Sequence, residues 1–380
     1  MPRSSSTSPE GAAPFAGVAE PDWNARNRGD NPFTDHRFLS ALKQSESVRP
    51  ETGWTDVSGE FATRDAFAPT WLKTNSHGEF VFDFAWAEAA QRAGLRWYPK
   101  LLVAAPLTPV TGPRLLGADP AARLELVQRL VAAVESEGLS SCSANFCDDE
   151  DRRLLEDSGW LARSDWQYHW FNAGYRDFDD FLGRLRSKPR KNIRRERRLA
   201  RQDGWRYRWI HGDAASEQEL RTVHDCYRTT FLLYRNLPSL NADFFRRAAR
   251  AFGDRFLVCM ASHHGEDLAC SVFWRGDRRL YGRYWGARTE TRDVHFEACY
   301  YQGIDYCIEH GLEAFEPGAQ GEHKIRRGFI PVRTRSFHYI RHAGLREGVR
   351  RWLEMEQRAL EEYRRELCSL EPYREPSAGG

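Results

Sequence analysis

The stretch YGRYWGARTETRDVHFEACYYQGIDYCIEHGLEAFEPGAQGEHKIRRGF, residues 281–329, decides how this chain is read. It predicts a strand over 280–285 and a helix over 295–310, with Phe296, Tyr300, Ile304 and Ile308 on one side and Gly311 as the stop. A second short strand follows at 312–315. The turn after it, Glu316-Pro317-Gly318-Ala319-Gln320-Gly321-Glu322-His323-Lys324, sets two carboxylates, an imidazole and an ammonium around two glycines that permit a tight bend. Acids and bases gathered at the end of a strand are equipped for proton transfer. The plainer alternative is a solvated loop with surface charges.

Before this stretch, residues 255–262, 267–274 and 278–284 predict a three-stranded antiparallel meander, preceded by a strand at 205–211 and helices over 216–235 and 241–252. After it come a strand at 332–340 and a charged helix at 344–370, which is expected to pack on its own domain and could also dimerise. The pattern helix, acid, Gly-Leu, strand occurs twice, in AAVESEGLSSCSANF at 132–146 and IDYCIEHGLEAFEPG at 304–318. A repeat at that separation suggests a duplicated α/β unit. We divide the chain into a disordered leader at 1–32, rich in Ser, Pro, Gly and Ala, a first domain at 33–170, a second at 171–345, and a C-terminal helix and tail at 346–380.

Composition excludes several classes. A hydrophobic fraction of 41% over 380 residues supports a sizeable core, and no apolar run is long enough for a spanning helix, so a cytoplasmic protein without membrane insertion is expected. The eight cysteines contain no CxxC pair, which fits reduced thiols, and no metal-ligand set is expected. Net charge is only +2, but its distribution is not even: between 184 and 201 ten Lys and Arg residues stand with Glu196 alone among them. On a helix, Lys188, Lys191, Arg195 and Arg198 form one cationic stripe and Arg190, Arg194, Arg197 and Arg201 the next. Phosphate is the natural partner of such a surface, the alternative being pairing with the carboxylates at 148–156 and 177–180. In the first half, PLTPVTGPRLL at 106–116 carries three prolines and cannot be a helix interior or a central strand. There Thr108, Thr111 and Arg114, with Lys100 just before, would offer hydroxyls and cations to a ligand, or serve only as loop architecture.

The element order of the second half is that of the GNAT acyltransferase fold. Two such units in one chain resemble the Fem family, whose members transfer an amino acid from aminoacyl-tRNA to an amine of a peptidoglycan precursor. The segments YPKLLVAAPLTPVTGPRLL, QYHWFNAGYRDFDDFLGRLRSKPRKNIRRERR, GRYWG, HFEACYYQGIDYCIEHGL and FEPGAQGEHKIRRGF resemble the FemAB-like group of N-acyltransferases over residues 35–345. The resemblance implies an α/β fold of tandem GNAT-like domains, with mixed sheets flanked by helices. Two departures bear on the donor. Acetyl-CoA-dependent members of the GNAT fold carry a glycine-rich pyrophosphate loop where this chain reads WGARTETRDVHFE, and no long helical arm of the Fem type is evident.

The expected activity is transfer of an aminoacyl group from aminoacyl-tRNA to an amine acceptor, such as a peptidoglycan precursor, a peptide or a small metabolite, without a cofactor. An acyl-CoA donor and a non-catalytic RNA-binding protein are the alternatives. Glu316 or Glu297 is the expected base, His323 a second base, and Lys324 the group facing developing negative charge. Tyr284 and Tyr300 would line the pocket, and Lys188, Arg190, Lys191, Arg194, Arg195 and Arg198 would hold tRNA phosphates. The chain is expected to act as a monomer or homodimer.

Overall fold

The computed structural model describes residues 15–374 other than 292 and 320. Among these, eleven strands join in one sheet: β1 (Trp54–Asp56), β2 (Thr70–Lys73), β3 (Lys100–Val103), β4 (Ser141–Ala144), β5 (Leu161–Phe171), β6 (Trp205–His211), β7 (Phe256–His263), β8 (Glu266–Arg275), β9 (Arg279–Ala287), β10 (Ala314–Glu316) and β11 (Ile330–Ile340). Their order across the sheet is β1-β2-β3-β4-β11-β5-β10-β9-β8-β7-β6. Each half runs through antiparallel strands to one parallel pair, β3 with β4 in the first and β9 with β10 in the second. The closing strands are exchanged. β11 lies antiparallel to β4 of the first half, β5 lies antiparallel to β10 of the second, and β5 and β11 pair with each other from Ile330↔His169 to His338↔Leu161.

The tandem mixed α/β architecture expected from the sequence is present, but the boundaries need correction. The division at 170/171 falls inside β5, and the helix assigned to a separate tail, Ala343–Ser369, lies over β5 and β11. Arg163 bonds Glu356 at 2.9 Å, and the Trp166 indole donates to the Leu360 carbonyl at 3.2 Å. The physical reason is the exchange itself: residues far apart in sequence complete each other's hydrogen-bond ladders, so no cut through the middle leaves two closed sheets.

The helices are α1 (Glu20–Asn24), α2 (His36–Gln44), α3 (Ser58–Phe61), α4 (Phe84–Arg92), α5 (Pro120–Ser136), α6 (Asp149–Asp157), α7 (Phe178–Arg184), α8 (Ser187–Ala200), α9 (Glu217–Leu233), α10 (Ala242–Phe252), α11 (Val294–Phe296), α12 (Gln302–Glu309) and α13 (Ala343–Ser369). Between α11 and α12 the chain makes a π-helical turn, Glu297–Tyr301. Local chemistry sets the ends. Asp119 caps α5 with Pro120 at its first position, and Ser216 with Glu219 forms a reciprocal capping box on α9.

Alternation along the strands sorts two cores. Val258, Met260, Val272, Trp274 and Tyr281 face one side, toward α2, α9 and α10, whereas Leu257, Cys259, Phe273 and Leu280 face the other, toward α12. Part of the expected leader belongs to the first core. Phe15 and Trp23 are fully buried, and the Trp23 indole donates to the Thr34 carbonyl at 2.9 Å. Residues 15–32 are therefore structured because two large aromatics outweigh their polar neighbours; residues 1–14 lie outside the described residues. Phe33 packs on Trp274 and Tyr281 at ring distances of 5.6 and 5.5 Å, so the start of the chain supports the second half of the sheet.

Candidate functional site

In the second half β9 and β10 pair in parallel only as far as Tyr281↔Glu316, after which β9 continues to Ala287 and the other chain turns away. The result is a wedge between two strands. Two features sharpen it. The β8–β9 register shifts so that Arg283 is the extra residue of a bulge, opposite no partner between Val272↔Tyr284 and Phe273↔Gly282. Gly318 and Gly321 take φ of 95° and 115°, which returns the chain as the 3-10 helix Glu322–Arg327.

Glu316 closes β10 almost fully buried. Its Oε1 accepts from Arg279 at 3.1 Å, and Oε2 lies 3.8 Å from His169 Nε2 without a hydrogen-bond partner. Burial pushes the carboxyl up to about 7, against the opposing pull of Arg279. Burial, with Arg279 and Lys324 nearby, presses His169 down to about 3, so its ring is neutral. Lys324 is buried at the turn and donates to the Gly318 carbonyl at 2.7 Å. Burial lowers its ammonium to about 7, with the Cys299 thiol opposing the shift and Arg283 adding to it. The wedge thus holds a carboxyl and an amine that both exchange protons near neutrality.

The flank toward α12 is aromatic. Tyr300 Oη meets His323 Nε2 at 3.0 Å, its ring centroid is 5.9 Å from Lys324 Nζ, and burial lowers His323. Tyr284 points to the opposite side of the sheet, packing on Tyr227 and Phe245, with its hydroxyl unpartnered. The two tyrosines expected in one pocket therefore lie on opposite faces, because the bulge at Arg283 sends Tyr284 toward α9.

Glu297 is corrected as a base. It is fully buried and its two oxygens are taken by Arg197 (3.2 Å to each) and Arg201 (2.8 Å), with Gln302 at 2.8 Å. It anchors α8. A second anchor is Glu196, whose oxygens hold Arg327 at 2.8 and 3.1 Å and the Tyr301 hydroxyl. Pinned along that side, α8 turns Lys188, Lys191, Arg194, Arg195 and Arg198 outward, with Arg190 half-exposed. Among the described residues Arg194 pairs with Asp179 at 3.0 Å, and Lys188, Arg190, Lys191, Arg195 and Arg198 have no carboxylate within ion-pair distance. Cavities open on either side of this helix. One, of about 380 Å³, is lined by Asn192 and Glu196 of α8 together with His323 and Arg326 of the wedge turn. The other, of about 660 Å³, lies between Arg201, the aromatic face of β6 and α12.

The residues proposed for a ligand in the first half are also corrected. Lys100 is buried between Glu79 (2.8 Å) and Asp83, and Arg114 is completely enclosed, donating from Nε to the Asn145 carbonyl at 2.8 Å and also to Val110 and Pro113 carbonyls. Thr108 and Thr111 have buried hydroxyls without partners, in the same loop. That loop returns to the sheet at Gly112, which bridges Cys147 in parallel, and so fills the wedge between β3 and β4.

A family model described as peptidoglycan biosynthesis/recognition, the FemAB-like family, matches residues 15–375. The chain belongs to the FemAB-like family. At family level this places it in peptidoglycan biosynthesis or recognition. Among solved structures, this FemAB-like chain is similar to the C-terminal domain of a putative lysylphosphatidylglycerol synthetase from Agrobacterium fabrum, at 10% identity and a TM-score of 0.53, covering 87% of this chain and 94% of that one. FemX is comparable, at 11% identity and a TM-score of 0.52, covering 88% and 98%. At those identities the likeness is one of fold. No curated protein matches by sequence. Among the described residues of the FemAB-like chain, no helix is long and apolar enough to cross a membrane.

Sequence reading missed His169, Arg279 and Arg283. A charged residue inside an otherwise buried strand was the available signal for both arginines. His169 gave none, because its partner Glu316 lies 147 positions away on a strand that only the exchange brings near.

Proposed function

We propose that this FemAB-like chain transfers an aminoacyl group from aminoacyl-tRNA to an amine at the wedge between β9 and β10. One observation carries the reading: the turn that buries Lys324 in the wedge also lines a cavity with α8 through His323 and Arg326. Phosphates held by Lys191, Arg195 and Arg198 would then lie beside the groups that do chemistry. The acceptor attacks as a neutral amine. Its proton passes to the Glu316 carboxylate, directly or through an intervening group, while the ammonium of Lys324 faces the oxyanion of the tetrahedral intermediate. Collapse forms the amide, breaks the ester C–O bond and releases the ribose hydroxyl, protonated by the proton that Glu316 took up. With both groups titrating about pH 7, the rate should follow a bell: Glu316 must be ionised and Lys324 protonated.

The helix start where a coenzyme pyrophosphate would sit argues for the tRNA donor over acyl-CoA. Asp293 stands there in left-handed backbone, φ 62°, ahead of a three-residue α-turn that gives way to π geometry. The test is transfer of radiolabelled amino acids from charged total tRNA to a bacterial small-molecule extract, with and without RNase, alongside labelled acetyl-CoA. RNase-sensitive labelling is expected. Labelling from acetyl-CoA alone would overturn the donor.

A further inference from the structure

Ten large apolar side chains are exposed among the described residues, and seven of them fall on two loops. Phe80, Phe82 and Phe84 stand on the turn into α4. Leu232, Leu233, Tyr234 and Leu237 stand on the turn that leaves α9, where Leu233 is 76% and Leu237 87% exposed. Single exposed leucines are ordinary, but clusters of this kind mark contact surfaces.

A chain of buried contacts links the two loops. Leu107 N–H donates to the Gly78 carbonyl at 3.2 Å at the base of the first loop, and its carbonyl accepts from the bulged Arg283 at 3.0 Å. Tyr284, next to Arg283, packs on Tyr227 at 5.4 Å, and Tyr227 packs on Phe231 at 4.6 Å, at the root of the second loop. Charge identifies the occupant. Residues 226–242 contain no acid, while Arg228 and Arg235 are exposed and form no ion pair among the described residues. On the first loop the only carboxylates, Glu79 and Asp83, are buried on Lys100, so none faces outward.

We propose that these two loops dock the protein on the surface of an anionic lipid bilayer. The phenyl rings and leucines enter the boundary between headgroups and acyl chains, Tyr234 sits at headgroup depth, and Arg228 and Arg235 meet lipid phosphates. The contact is interfacial and needs no spanning segment. It is measured without turnover, so its failure and that of the transfer chemistry are separable.

The test is co-sedimentation of the full chain with vesicles of phosphatidylcholine alone and of phosphatidylcholine with phosphatidylglycerol in equal parts. Binding to the anionic vesicles is expected, with weak binding to the neutral ones. Leu233→Glu with Leu237→Glu, and separately Phe82→Glu with Phe84→Glu, should each weaken it at least about tenfold by replacing inserted apolar surface with charge. Arg228→Glu with Arg235→Glu should weaken binding to the anionic vesicles and leave the neutral ones unchanged. All six positions are exposed, and unchanged melting would show that the fold is kept. A wild-type chain left in the supernatant with anionic vesicles, or variants that sediment as it does, would overturn the proposal. Gel filtration in which the leucine variant turns a dimer into a monomer, with vesicle binding intact, would assign the surface to self-association instead.

Discussion

The two halves of the sheet carry the same parallel strand pair and use it in opposite ways. Between β3 and β4 the opening is plugged by the chain's own loop, with the Arg114 guanidinium satisfied by three backbone carbonyls and the chain re-paired at Gly112↔Cys147. Between β9 and β10 nothing re-pairs among the described residues, and Glu316 and Lys324 are buried there with protonation held near neutrality. Burying an ionisable group without a full set of partners lowers stability, so a fold retains such groups where they act. In the first wedge Arg114 is held by fixed carbonyl partners; in the second Glu316 and Lys324 are left able to change state.

Replacing Lys324 with Met should produce the largest effect, a fall of about a thousandfold in kcat with little change in melting, if the amine stabilises the oxyanion. Single-turnover kinetics with charged tRNA would read it, and an unchanged kcat would erase the contrast between the wedges. Arg114→Met should do the reverse. Three buried carbonyls lose their donor at a cost of about 3 kcal/mol in unfolding free energy, while kcat per folded molecule stays the same. Chemical denaturation with an activity titration checks both parts.

Glu316→Gln sharpens the comparison through pH. The folded carboxyl holds its proton up to about 7, whereas the unfolded one releases it near 4.5. Its burial therefore costs nothing below the lower value, costs more as pH rises between the two, and costs most above the upper one. The variant should match the parent at low pH and exceed it by about 3 kcal/mol above neutrality, read from denaturation midpoints across pH. Reversing Lys191, Arg195 and Arg198 to Glu should have the smallest effect on the fold and weaken tRNA binding about tenfold or more, with a shallower dependence on salt. A salt slope equal to the parent's would remove phosphate contact from α8.

Much of this was legible locally. The strand at 205–211 and the helices around 216–235 and 241–252 follow from period, cap and stop residues, and the repeat at 132 and 304 marks the two parallel pairs. The acid and amine of the wedge could be named because the turn concentrates them beside glycines. What sequence could not express is pairing at a distance. Glu297 reads as a free acid until Arg197 and Arg201, about a hundred positions earlier, are seen to occupy it. Lys100 and Arg114 read as ligand cations until burial supplies Glu79, Asp83 and the loop carbonyls. Phe15 and Trp23 were hidden by the small polar residues around them.

The exchange of β5 and β11 also governs how the chain is made. As synthesis proceeds, β4 is complete at residue 144, yet the strand that covers its free side ends at residue 340. For the intervening stretch the nascent first half carries an open edge, a state that invites wrong partners and the attention of chaperones. A ribosome stalled before residue 330 therefore holds two incomplete sheets rather than one finished domain and one in progress. The two halves become one sheet only when β11 is in place, paired with β4 on one side and β5 on the other.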